Sequence, residues 1–219
     1  MAFAWISSLS LASILGIVTG FFLGKYSQAA AEKKPCETKE VEEKKAKEVT
    51  MEVIFFPDTI TQAGDASLSR EMKGMLYKEI LNQSEPLKRL VAHISSAKVS
   101  LDLCLYIMTC HKLGKAVIKR MQEGNIRVRL IVDDNMAKDG GSFVGELQRH
   151  GAFVKVMKKS DYLMHHKFAI VDGIKIATGS FNWTMQAVMG NYENVIITDH
   201  LHAVNSFKIE FEKLWSLTK

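Results

Sequence analysis

Residues 164–183 read M-H-H-K-F-A-I-V-D-G-I-K-I-A-T-G-S-F-N-W, and the fold turns on how this stretch is read. Two short apolar runs flank Asp172 and Gly173. Asp-Gly between such runs is a strong local signal for a tight β-hairpin. A strand over 164–171 puts His165, Lys167 and Ala169 on one face and His166, Phe168 and Ile170 on the other. His165 and Lys167 would then stand roughly 7 Å apart along the strand. A return strand over 174–178 brings Gly179, Ser180 and Asn182 back opposite His165. Gly179 leaves room for close approach. An ammonium, a hydroxyl and an amide would thus converge beside an imidazole. The first three suit an anion with several oxygens, such as a phosphate. The imidazole can serve as nucleophile or as general acid and base.

Outward from the hairpin, apolar periodicity alternates between period 2 and period 3.6. Strands are expected at 53–56, ending at Pro57, and at 99–108, 126–132, 152–157 and 194–198. Helices are expected at 71–81, from a cap at Ser84-Glu85-Pro86, at 113–124 with Gly124 as its C-terminal cap, and at 142–150. A last helix carries Val204, Phe207, Phe211, Leu214 and Trp215. This order predicts an α/β fold, a mixed central sheet sandwiched by helices.

The chain has 219 residues, 47% of them hydrophobic, a formal net charge of +5 and a pI near 9.0. The basic balance suits an anionic partner but is mild. Three cysteines, Cys36, Cys104 and Cys110, are too few and too scattered for a disulfide framework. No charge interrupts residues 3–23, whose ends carry Trp5 and the pair Phe21, Phe22. The stretch from Trp5 to Leu23 is therefore expected to be a transmembrane helix preceding the domain. Its first lysines, Lys25, Lys33 and Lys34, come after the apolar run, so the rest of the chain is placed on the cytosolic side. Gly16, Gly20 and Gly24 have the spacing that lets two membrane helices approach closely, though glycine is also simply common there. Residues 32–48 hold six lysines and six glutamates, a solvated linker. The expected organisation is an anchor at 1–24, a charged linker at 25–50 and a catalytic domain at 51–219.

The pattern His165-x-Lys167-x4-Asp172-x6-Gly179-Ser180-x-Asn182 resembles the HKD motif of the phospholipase D superfamily. It occurs once. The contexts M-H-H-K-F-A-I-V-D and G-S-F-N-W-T, with V-I-F-F-P and E-N-V-I-I-T, are similar to the mitochondrial cardiolipin hydrolase / Zucchini branch. The resemblance implies a phosphodiesterase with His165 as the nucleophile that forms a phosphohistidine. It implies a homodimer, because a single-motif chain takes its second His165 from a partner copy as general acid and base. Lys167 and Asn182 would hold the phosphoryl oxygens, Ser180 would assist, and Glu193 would orient the imidazole. Asp172, at the turn, is expected to be structural, as is Gly179. No cofactor is implied. Some members carry a zinc-binding Cys/His insertion, but residues 57–92 contain no Cys and no His, so no zinc is expected.

The resemblance implies two substrates. The first reading is single-stranded RNA, cut endonucleolytically in piRNA biogenesis with PIWI-pathway proteins as partners. The second, its alternative, is cardiolipin, hydrolysed to phosphatidic acid at the mitochondrial outer membrane. A third reading, a membrane-anchored dimeric scaffold with a dead site, conflicts with the intact motif. Elsewhere, Asp133-Asp134 reads as a turn or helix cap and His200-Leu201-His202 as a helix start. His166 reads as a partly buried neighbour. Cys110-His111 lacks the partners of a thiol nucleophile. Arg127, Arg129, Lys155, Lys158, Lys159 and Lys175 are either a basic rim for a polyanion or a plain solvated face.

Overall fold

A computed structural model describes residues 48–58, 69–138, 140–158 and 161–218. They belong to one compact unit, Ala46–Lys219. The anchor expected between Trp5 and Leu23 lies outside them; among the described residues no helix is long and apolar enough to cross a membrane.

Seven strands, β1 (Met51–Phe56), β2 (Ser100–Leu105), β3 (Arg127–Asp133), β4 (Phe153–Met157), β5 (Lys167–Val171), β6 (Lys175–Gly179) and β7 (Glu193–Thr198), form one sheet in the order β1-β7-β6-β5-β2-β3-β4. Pairs β2–β3 and β3–β4 are parallel; β2–β5, β5–β6, β6–β7 and β7–β1 are antiparallel. The sheet is mixed, as expected. Helices α1 (Arg70–Gln83), α2 (Glu85–Ser95), α3 (His111–Gly124), α5 (Val144–Arg149) and α6 (Met185–Met189) contribute to one core; α7 (Leu201–Leu217) builds the other, over Phe168, Ile170 and Ile176. The short α4 (Asp134–Ala137) comes directly after β3.

Local chemistry explains most boundaries. Ser84 caps α2 by accepting from Leu87 N, with proline in the first turn. The left-handed residue after α3 is Asn125, at φ 47°, and not Gly124, which is the last helical residue; Asn tolerates this region because its short polar side chain bonds locally. Strand β2 is shorter than the expected 99–108 and all six of its residues are buried, since helices cover both its faces.

The β5–β6 turn places Asp172 at φ 53° and Gly173 at φ 66°, and Ile174 N donates to Val171 O at 3.0 Å. Two successive positive φ values give the turn type whose twist matches a hairpin. The Asp172 carboxylate accepts N–H bonds from Lys98, Val99 and Ser100 at 2.7–3.0 Å, clamping the turn to the start of β2. Burial alone would raise its pKa, but these bonds outweigh it and the net shift is downward. Asp172→Ala is expected to cost about 1–3 kcal/mol in chemical denaturation, more than Asp172→Asn, which keeps φ > 0 accessible. A folded pKa below the unfolded one means this stabilisation is complete above the unfolded carboxyl range. It is lost as pH falls through the folded value, so the gap between wild type and Asp172→Ala closes in strong acid.

The outer strand β1 has one unfinished face. Ile54 and Phe56 are buried, but Met51, Val53 and Phe55, on the α7 side, are 66%, 42% and 68% exposed. Helix α7 packs over β5 and β6 and leaves this apolar row open.

Candidate active site

The site forms at the sheet edge where parallel strands β2, β3 and β4 reach their carboxyl ends. There Leu105 of β2 pairs with Lys167 at the start of β5, β6 ends at Gly179, and Phe56 pairs with Glu193 at the start of β7. This is the edge where open α/β sheets bind ligands.

The strand begins at Lys167, so His165 belongs to the extended segment before β5 and not to a strand starting at 164. The ends of β2 and β3 hold that segment instead. Asp133 Oδ2 accepts from Met164 N at 3.2 Å, and Tyr106 N donates to His166 O at 2.9 Å. Asp133 also caps α4 through Asn135 N at 3.0 Å, as its sequence context implied. The exposed His165 ring packs edge-on to Tyr106, centroids 4.8 Å apart. Partial burial, then the Lys167 charge, lowers the His165 pKa, against an opposing effect of Asp133. A lowered pKa favours neutral imidazole at neutral pH, the form with a free lone pair.

Lys167 Nζ donates to His165 O at 2.7 Å and lies 5.4 Å from the Tyr106 ring centroid. Burial lowers its pKa and the Glu193 carboxylate opposes the shift. Glu193 Oε1 accepts from Asn191 Nδ2 at 3.1 Å. Glu193 was expected to orient His165, but within one chain its charge acts on Lys167. The reason is positional. Glu193 opens β7, two strands from β5, whereas the imidazole turns towards Tyr106 on the β2 side.

Ser180 and Asn194 form a reciprocal pair: Ser180 N donates to Asn194 O, and Asn194 N to Ser180 Oγ, both at 3.1 Å. Ser180 Oγ is exposed and keeps its own proton to donate. A Cβ at Gly179 would lie 2.0 Å from Asn194 O, so only glycine permits this approach. Asn182 Oδ1 is buried and has no hydrogen-bond partner among the described residues. Leaving such an acceptor unpaired costs about 1–3 kcal/mol, and what it would take from a ligand is an N–H or O–H donor.

Other candidates fall away. His166 is more exposed than expected and lies 3.8 Å from Glu210 of α7. His200 caps α7 through Nδ1, at the opposite end of the sheet. Burial raises the thiol pKa of Cys110, and that of Cys104 to about 12, so neither is a ready thiolate. Of the basic set, Lys159 lies outside the described residues and Lys158 directly follows β4, at the site edge, while the other four do not gather there. Arg129 is bound to Asp102 and Glu212, and Lys155 donates to Trp215 O and Thr218 O. Arg127 and Lys175 sit at the far end of the sheet, where β3 and β6 begin. Among the described residues, no three His, Cys, Asp or Glu side chains cluster as metal ligands. A cleft of about 240 Å³ opens beside His165, walled by Met157, Tyr162, Leu163, Met164, His166 and Leu214. Tyr106, the hold of Asp133 on Met164 and this cleft escaped the sequence; the one available signal was an aromatic directly after a buried strand.

Residues 90–215, from α2 to α7 and including the whole site, match the family model for the cardiolipin synthase, PLD-like domain. Over 170 residues the chain is 37% identical to the mitochondrial cardiolipin hydrolase of Xenopus tropicalis, covering 75% of this chain and 76% of that protein. It is 38% identical over 170 residues to the protein of the same name from Homo sapiens, covering 75% and 66%. Among solved structures, NucT from Helicobacter pylori superposes with a TM-score of 0.60 at 22% identity, covering 78% of this chain and 98% of NucT. Nuc of Salmonella typhimurium, a phospholipase D family member, gives 0.57 at 21% identity, covering 78% and 97%. The structural likenesses speak to the fold; the sequence matches speak to descent. The chain belongs to the phospholipase D-like family, among relatives that bear the name mitochondrial cardiolipin hydrolase.

Proposed function

We propose that this protein is a metal-independent phosphodiesterase, anchored in the mitochondrial outer membrane with its catalytic domain in the cytosol, that hydrolyses cardiolipin in an active site shared by two copies of the chain. The observation that carries the reading is the placement of His165, Lys167, Ser180 and Asn182 at one sheet edge, in a single copy. In the first step the neutral His165 imidazole attacks phosphorus. The N–P bond forms, the P–O bond to the leaving group breaks, and the partner's His165 gives its proton to the departing oxygen. In the second step the partner's His165 takes a proton from water. The water oxygen attacks phosphorus, the N–P bond breaks, and phosphatidic acid leaves. Lys167, Ser180 and Asn182 hold the non-bridging oxygens as charge builds on them.

Two features favour the lipid. The cleft beside His165 has mainly apolar walls, and Arg129 and Lys155, which could have lined a polyanion groove, are already bonded elsewhere. A second reading, cleavage of single-stranded RNA, draws on Tyr162 and Tyr192, which flank the motif residues at 86% and 87% exposure and could stack on bases. The test gives purified full chain in detergent micelles both cardiolipin vesicles and single-stranded RNA, with EDTA present and His165→Asn as control. Phosphatidic acid release that survives EDTA and vanishes in the variant supports the proposal. Cleavage of RNA alone favours the second reading, and loss of all activity in EDTA rules out the metal-free mechanism.

The open row on β1 supports the shared site. Phe55 pairs in register with Asn194, which is bonded to Ser180 of the motif, so the apolar face is continuous with the half-site. Phe55→Glu is expected to turn a dimer into a monomer in sedimentation, with an unchanged circular dichroism spectrum and lost activity, because Phe55 supports no core of its own chain. A dimer that persists with full activity would place the interface elsewhere.

A further inference from the structure

We propose that Tyr106 is a positioning residue of this site: its one ring holds both His165 and Lys167 in reacting geometry. The inference rests on the reading of His165 as nucleophile. Tyr106 is the first residue after β2, and its main-chain N–H is bonded to His166 O, between the two residues in question. Its ring meets the His165 imidazole edge-on at 4.8 Å and an interplanar angle of 61°. The same ring lies beneath the Lys167 ammonium at 5.4 Å. Lys167 in turn donates to His165 O at 2.7 Å. The Tyr106 ring therefore touches both side chains, and Lys167 closes the set on the main chain of His165.

Such a set has a purpose. His165 is exposed and precedes its strand, so no ladder fixes it, and a lysine side chain freezes about 2 kcal/mol of rotamer entropy when ordered. The aromatic face attracts the ammonium, and the ring body limits the rotamers open to the imidazole. None of these contacts uses the phenolic hydroxyl. Phenylalanine should therefore replace tyrosine, and an aliphatic residue should not.

The test uses the full chain in detergent micelles with cardiolipin vesicles, comparing Tyr106→Leu and Tyr106→Phe with wild type. Tyr106→Leu is expected to lower kcat about tenfold to a hundredfold while KM changes by no more than about twofold. Its acid limb is expected to move to higher pH. Loss of the ring removes the partial burial that lowers the His165 pKa, while the other charged groups facing it, Lys167, Asp133 and His166, stay in place, as does Glu193 beside Lys167. Tyr106→Phe is expected to remain within about twofold of wild type, with an unmoved limb. A purely structural tyrosine would alter thermal stability without shifting the limb. A second readout, the titration of His165 by histidine-selective NMR, needs no turnover: it should rise in Tyr106→Leu and not in Tyr106→Phe. If wild type cleaves neither lipid nor RNA, the proposed function fails while this titration still decides the role of Tyr106. Should Tyr106→Leu not fold, Tyr106→Met removes the ring at similar volume. An aliphatic variant with wild-type kcat and titration, or a phenylalanine variant as impaired as the leucine one, overturns the inference.

Discussion

His165→Asn is expected to reduce phosphodiester hydrolysis by the full chain by a factor of about 10⁴ or more, with the fold intact. The size reflects the shared site proposed above. One substitution removes the nucleophile from one subunit and the general acid and base from the other, so both steps fail. The fold survives because the ring is exposed and its contacts are with Tyr106 and solvent, not with either core. Wild type quenched with denaturing detergent at mildly alkaline pH during turnover should carry a phosphatidyl adduct on His165, detectable by mass spectrometry of the peptide; the variant should carry none.

The largest expected effect on stability lies behind the site. Arg129 of β3 faces Asp102 across the parallel pair, with hydrogen bonds of 2.7 and 2.8 Å, and reaches Glu212 of α7 at 2.6 Å. Its guanidinium also lies 4.7 Å from the Phe211 ring centroid and 5.2 Å from that of Trp215. Side chains of Arg129 and Asp102 are only 13% and 10% exposed. Arg129→Leu is expected to cost about 3–5 kcal/mol in urea denaturation, because it leaves the Asp102 charge buried without its partner. The double variant Asp102→Leu/Arg129→Leu should recover much of that loss, since no isolated charge remains. Equal losses in single and double variants would assign the effect to the packing of α7 and not to the charge.

How much of the fold and site could be read from the chain depends on how local the determinant is. The hairpin was legible because Asp172-Gly173 dictates its own turn, and the spacing from His165 to Asn182 fixes what the turn brings together. The caps at Ser84, Asp133 and His200 were legible for the same reason. The start of β5 was not. Apolar alternation runs on through Met164, but Asp133, about 30 residues earlier in sequence, takes the Met164 N–H and holds the segment out of the ladder. The fate of the basic residues was equally hidden. Arg127 and Arg129 alternate as a solvated face would, yet only Arg127 is exposed, because α7 from the far end of the chain closes over Arg129. Tyr106 stayed out of sight since its importance lies in two side chains some 60 residues away.

The central claim is that one active site needs His165 from two copies. Co-expressing wild-type and His165→Asn chains in graded ratios, and measuring cardiolipin hydrolysis per total protein, tests it most directly. A shared site predicts activity falling as the square of the wild-type fraction, because every mixed dimer is dead. A linear decline would show that each chain carries a complete site and would contradict the account.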